Sequence, residues 1–325
     1  MRRKLLALAL VGVAALATAG LAAAADGGFA PQFAHSPYAH RINDTYWLVL
    51  GFTAAIFVLV EGLLVTFIVK YRARGRARSD EGAQVHGNSR IEIIWTAIPI
   101  VIIAIILGFV FYKLPGISDA PRASASSGGN IQIRLDAHTF YWQFTYPNGA
   151  ISIDELHLPV GKVAELSINA EDVNHSWWIP QLGGKTDAIP GRTNHTWYQP
   201  DKIGTFYGQC AEFCGLFHER MLGRVVVTSE AEYQSFISSG AAKELGKAEW
   251  VGVCAKCHGM QGQGDYGPAI AANSILVQKA SLEGLLRKGG ILMPAVGDNW
   301  SDVQMRALEA YLKKSVYKGA SASGG

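Results

Sequence analysis

The stretch GQCAEFCGLFHERM, Gly208 to Met221, holds two of the four cysteines of the chain and follows them with His218 and Met221. Three chemistries compete for it. Outside the cytoplasm a pair of thiols is oxidised to a disulfide by default. Two cysteines with two histidines could instead hold zinc tetrahedrally. The third choice is copper, because thiolate, imidazole and thioether form a soft ligand mix, and zinc would have no use for Met221. Either metal needs a second histidine, and EDVNHSWWIP, Glu171 to Pro180, supplies His175.

Working outward, the compartment comes first. Arg2, Arg3 and Lys4, the apolar run Leu5 to Leu21 and the small residues up to Ala25 read as a secretory signal peptide over residues 1–25. The 49% hydrophobic content is high for a soluble protein, and two apolar runs explain it, residues 47–69 and 93–114. A bilayer core needs about 20 apolar residues as helix, so both qualify as spans of a transmembrane hairpin covering residues 26–115. Tyr46, Trp47, Tyr71, Trp95 and Tyr112 stand near their ends, where amphipathic rings prefer the interface. Lys70, Arg72, Arg74, Arg76, Arg78 and Arg90 lie between the spans, so the positive-inside bias puts that loop in the cytoplasm and both flanks outside. The expected location is a bacterial inner membrane, multi-pass, with everything after Leu114 on the periplasmic side. The net charge of +3 gives no argument for nucleic acid, and none is expected as a partner.

Residues 116–130 form a small polar linker. Beyond it IQIRLDA, ISIDELHL, VAELSINA, GTFYGQ and GRVVVTS read as short strands separated by turn signals such as Pro147–Gly149. This predicts a β-sandwich of about 100 residues, over 131–229. From Glu230 the pattern turns helical through residue 318. Gly289 ends one helix, and Ser301 with Gln304 opens the last as a capping box. The tail, 319–325, is expected to be disordered.

The second cysteine pair spells CAKCH, Cys254 to His258, the attachment pattern of a c-type haem. The two thiols add to the haem vinyl groups and His258 sits beneath the iron. A zinc half-site would want another pair nearby, and a redox dithiol would want βαβ surroundings. For the sixth position Met260 is too close to His258 to cross the ring, and Met305 lies on the apolar face of the last helix. Met293, beside Pro294, is the candidate, since a His/Met pair raises the potential of haem iron.

DVNHSW, GGKTDAIPGR and YGQCAEFCGLFHERM together resemble subunit II of haem–copper cytochrome c oxidases, from about Tyr46 to Ser229. The domain behind it resembles the fused cytochrome c of caa3-type oxidases. The resemblance implies a multidomain membrane protein with a two-helix hairpin, a cupredoxin-like sandwich and an all-α class I cytochrome c domain. It implies a dinuclear copper centre, CuA, with Cys210 and Cys214 as bridging thiolates, His175 and His218 each on one copper, and Met221 and the Glu212 carbonyl as weak ligands. The Glu212 side chain would reach a magnesium site shared with subunit I. Glu92 resembles a family glutamate at the mouth of a proton pathway, whereas Glu61, inside the first span, has no family role. The implied partners are subunit I, carrying a-type haem and a further copper, other oxidase subunits and a cytochrome c donor. Oxygen would be reduced and protons pumped in subunit I, with no catalytic residue in this chain. Within FYWQFTY the family's leading tryptophan, which takes electrons from cytochrome c, is replaced by Phe140, with Tyr141 and Trp142 following. The rivals are the same module feeding a nitric oxide reductase, and a periplasmic copper-delivery protein. CAKCH argues against the second.

Overall fold

The structure, a computed structural model, describes residues 30–72, 84, 86–122 and 129–319. The expected signal peptide, the loop positions Arg74, Arg76 and Arg78, the middle of the linker and the tail from residue 320 lie outside the described residues. The chain forms two compact units: residues 40–118 are one, and the remainder is the other.

The first unit is built on helices α1 (Pro37–Lys70) and α2 (Ser89–Lys113). The apolar faces of both point outward, and α2 buries no residue. Helices apolar all round are at rest only in protein core or lipid, so this unit anchors the chain in a membrane. Helix α1 starts ahead of the predicted span because hydropathy marks the apolar length, and the polar turns PYAHRINDTY continue the same helix beyond it. Asn88 caps α2 by accepting from the Arg90 and Ile91 amides, and Glu92 reaches back to accept from the Asn88 amide at 3.1 Å. Lys113 donates to Asp44, tying the ends of the two helices together.

The second unit opens with two five-stranded sheets. The strands are β1 (Ile131–His138), β2 (Tyr141–Thr145), β3 (Ile151–Ile153), β4 (Glu155–Pro159), β5 (Ala164–Ala170), β6 (His175–Trp178), β7 (Thr186–Ala188), β8 (Asn194–Tyr198), β9 (Gly204–Cys210) and β10 (Leu222–Thr228). One sheet runs β3-β2-β1-β5-β8 and the other β4-β10-β9-β6-β7. Between them Leu135, Trp142, Phe144, Leu156, Leu166, Trp177 and Val225 are fully buried. Trp142 and Trp177 meet edge to face with centroids 5.1 Å apart.

ISIDELHL, expected as one strand, is two strands in different sheets. Asp154 stands between them at φ 58°, a left-handed turn that an aspartate tolerates better than most side chains. Strands β2 and β6 went unread because both their faces are covered: YWQFT and HSWW lack the alternation of a half-buried strand.

The remainder is helical: α3 (Ala241–Glu249), a wide π turn (Trp250–Cys254), α4 (Ala255–His258), α5 (Lys279–Lys288) and α6 (Asp302–Tyr311). Gly289 ends α5 with φ 71°, and Ser301 with Gln304 forms the expected capping box at α6. The core joins Trp250, Leu282, Leu286, Trp300, Met305 and Leu308. Tyr141 and Ile153, from β2 and β3, belong to the same cluster. Packing therefore continues across residue 230, and sandwich and helices share one interior.

Glu249 lies in that interior fully buried, and neither carboxyl oxygen has a hydrogen-bond partner among the described residues. Burial pushes its pKa up from 4.5 to about 9. Between those values the unfolded chain has released this proton and the folded chain has not, so the group makes stability fall as pH rises. Glu249→Gln, permanently neutral, should flatten that fall and stabilise the protein most near the upper end of the window. Denaturant unfolding of both proteins across the window checks this; an identical pH slope in the variant would refute it.

Candidate metal centre

Strand ends of one sheet bring the donors together. His175 opens β6, Cys210 closes β9, and Met221 immediately precedes β10. Backbone bonds pin them: Cys210 N donates to the Met221 carbonyl at 2.9 Å, and Ala211 N to the Ser176 carbonyl at 2.9 Å. The loop between β9 and β10 carries Cys214 and, at its single 3-10 turn, His218. Gly215, at φ 128°, takes a conformation closed to other residues and leaves room for the Phe140 ring, which a Cβ would meet at 3.3 Å.

Cys210 Sγ is 3.9 Å from His175 Nδ1, 3.2 Å from the Glu212 carbonyl and 4.0 Å from Cys214 Sγ. Cys214 Sγ is 3.5 Å from His218 Nδ1 and 3.8 Å from Met221 Sδ. All the donors named from the sequence thus face one small volume, and both thiols are free and buried. His175, Cys210 and Cys214 place their ligand atoms within 4.8 Å of one another. Soft sulfur and imidazole donors in this proportion fit copper.

His175 Nε2 is bonded to Asp172 at 2.8 Å. A carboxylate can only accept, so Nε2 carries the proton and Nδ1 offers its lone pair toward Cys210. Burial opposes ionisation of Asp172, but the bonds from His175 and Thr139 overcome it and lower its pKa to about 2. Burial also works against charging His175, and the bonds to Asp172 and Cys210 outweigh it, so its pKa is raised. The bond from Cys214 leads in pulling Cys210 down to about 3, and the same bond pushes Cys214 up. Asp172 escaped the sequence reading, although it stands three residues before His175 in the quoted DVNHSW motif.

The other cysteines live differently. Burial pushes Cys254 up to about 12 and also raises Cys257, so both remain thiols. His258 Nδ1 donates to the Pro268 carbonyl at 2.9 Å, which leaves Nε2 with a lone pair for an axial bond. Two protonated thiols beside an imidazole held in this tautomer fit a c-type haem. Met293 lies partly buried against the helical core, Met260 is exposed, and Met305 is buried in the core itself.

The aromatic trio separates. Phe140 packs on Phe217 with centroids 5.4 Å apart. Tyr141 is fully buried, donates to the Val296 carbonyl at 2.9 Å and accepts from Trp300 at 2.9 Å. Trp142 is fully buried and packs on His175 at 6.0 Å. The Glu212 carboxylate is half-exposed, 3.8 Å from Lys185, beside the exposed Phe213 and Leu216. Glu92 acts in the α2 cap, and Glu61 is exposed on α1.

Residues 24–114 match the family described as cytochrome c oxidase subunit II, transmembrane domain, and residues 150–229 match its periplasmic domain. The chain is 32% identical over 302 residues to cytochrome c oxidase subunit 2 of Alkalihalophilus pseudofirmus, covering 85% of this chain and 88% of that one. The chain belongs to the cytochrome c oxidase subunit II family. It is also 30% identical over 257 residues to the subunit 2 of Thermostichus vulcanus, covering 64% of this chain and 77% of that one. Among solved structures, the periplasmic domain of subunit II from Bradyrhizobium japonicum is 31% identical, over 39% of this chain and 99% of that one, with a TM-score of 0.35. Residues 241–312 match the family described as cytochrome c oxidase, cbb3-type, subunit III. The protein is therefore an oxidase subunit II with a fused C-terminal cytochrome c domain, and this membership implies copper and haem c.

Asp172→Asn should lower copper affinity about 10- to 100-fold by releasing the His175 ring. Chelator competition on the full chain, with the haem absorbance as an internal standard, measures it. Undiminished copper retention would show that the ring is fixed by other contacts.

Proposed function

We propose that this chain receives electrons from a cytochrome c donor on a c-type haem, passes them to a dinuclear CuA centre, and delivers them to subunit I of a caa3-type oxidase. The convergence of His175, Cys210, Cys214, His218, Met221 and the Glu212 carbonyl carries the reading. Two bridging thiolates would let one electron spread over two metals, which suits rapid transfer with little rearrangement. The burial of His175, Cys210, Cys214 and Met221 excludes water, and the strand ends fix the donors in place. Cys254 and Cys257 would carry the haem covalently, with His258 and Met293 as axial ligands.

The basic loop supports a cytoplasmic side for that loop and a periplasmic side for both soluble domains. The exposed Phe213 and Leu216 next to Glu212 support an apolar face toward subunit I, where Glu212 would share a magnesium ion. Glu92, in the first turn of α2, is the proposed mouth of a proton pathway into subunit I.

Electron paramagnetic resonance and optical spectroscopy on the full chain in detergent test the reading. A mixed-valence dinuclear copper signal with a low-spin c-haem is expected. One zinc per chain, or a Cys210–Cys214 disulfide that takes up no copper, would sink the copper assignment. Met293→Ala should lower the haem potential in a redox titration, since thioether ligation raises it; an unchanged potential would move the axial role elsewhere.

A further inference from the structure

The segment that carries His258 touches the copper loop through a short run of contacts. Gly267 lies so close to the His258 imidazole that a Cβ there would sit 2.9 Å from Cε1, and its amide donates to the Cys257 carbonyl at 2.8 Å. Its neighbour Tyr266 meets Phe217 edge to face, centroids 4.7 Å apart. Phe217 is buried and is covalently next to His218. Each link from one histidine to the other is thus a bond or a van der Waals contact.

Charged groups hold the same seam. Arg220 Nη1 donates to the Lys256 carbonyl at 2.8 Å and to Asp265 at 2.9 Å, and its guanidinium lies over Phe217 at 5.4 Å. Lys256, between the two haem cysteines, donates to the Phe140 carbonyl at 2.8 Å and to Asp154 at 2.7 Å. The Lys256–Asp154 pair is mostly shielded from solvent, 16% and 19% exposed, whereas Arg220–Asp265 is open and weak as an ion pair. The carbonyl bond and the ring contact give Arg220 its grip.

We propose that Tyr266 and Phe217 form the electron bridge from the haem segment to the copper loop, and that Arg220 and the Lys256–Asp154 pair are positioning residues that hold the bridge closed. This rests on the function proposed above. With haem and copper bound, the transfer would move one electron from the ferrous haem to the copper pair, oxidising the first and reducing the second by one, with no bond broken and no proton moved. A rival path exists in the same unit, from the Met293 side through the Val296 carbonyl to the Tyr141 hydroxyl and on through Trp142 to His175. It hangs on one hydrogen bond and a wider ring contact, which is why the Tyr266 path is favoured.

The test uses the full chain in detergent, loaded with copper and haem, with the haem reduced by a flash-activated dye and both centres followed optically. Tyr266→Leu should slow haem-to-copper transfer about tenfold or more with both potentials unchanged, as loss of a contact in a positioned assembly does. Tyr266 is 62% exposed, so this substitution leaves the fold intact. Tyr141→Phe should leave the rate as it is. An unchanged rate in Tyr266→Leu, or a slow Tyr141→Phe, overturns the bridge. Arg220→Leu should raise amide hydrogen exchange across residues 256–267 in the metal-free full chain, and unchanged exchange removes the clamp. Failure of the underlying function would look different, since the unsubstituted protein would then lack the copper or haem bands altogether.

Discussion

Asp154 is the constraint on which the second unit turns. Its amide donates to the Trp142 carbonyl at 2.8 Å and its own carbonyl accepts from Arg224 at 3.0 Å, so one residue stitches β2 to β10. One carboxylate oxygen takes the Trp142 amide at 2.9 Å and the other takes Lys256 at 2.7 Å. Burial raises its pKa, and the Lys256 ammonium works against that rise. An unpaired buried carboxylate would be strongly destabilising, so the CAKCH segment supplies the partner this corner requires. The corner between the sheets, the placing of Trp142 under His175 and the seating of the cytochrome domain are consequences of one side chain.

The two cysteine pairs show how environment divides a single chemistry. Cys210 meets contacts that favour its thiolate, led by the bond with Cys214 and joined by backbone amides. Cys254 meets mainly apolar burial and a neighbouring acid, which favour the thiol. A bound cation would lower the first pair further, since coordination deprotonates a thiol. The second pair suits covalent attachment, in which each sulfur ends as an uncharged thioether. Pairs of equal composition thus sort by the fields around them.

How far the sequence could be read follows from the same physics. The spans were plain because lipid demands a long apolar run. The candidate donors stood out because five of them share one loop and His175 lies within a distinctive motif. Strand β2 was hidden because the cytochrome domain covers its outer face, which erased the alternation that betrays a half-buried strand. The break at Asp154 was hidden because a left-handed aspartate leaves no mark among alternating apolar residues. Asp172 and Lys256 sat inside quoted motifs without a role, because their partners, His175 and Asp154, are identified only by geometry.

Phe140, which the resemblance puts where the family carries a leading tryptophan, has a definite physical setting. Phe140 is packed against Phe217, and its carbonyl is taken by Lys256, so this spot is covered by the chain's own cytochrome domain. A donor arriving by diffusion needs an exposed landing ring and a steering field. A donor that shares a hydrophobic core with its acceptor, through Tyr141 and Ile153, needs neither. The charges agree: residues 126–229 carry 7 basic and 10 acidic side chains, and residues 230–325 carry 10 and 9, too balanced for a docking field. Covalent linkage already makes the encounter intramolecular, and shared packing goes further by selecting one orientation. The pressure to keep a large indole at the surface then falls away, and a phenyl ring that fits over Gly215 serves the seam better.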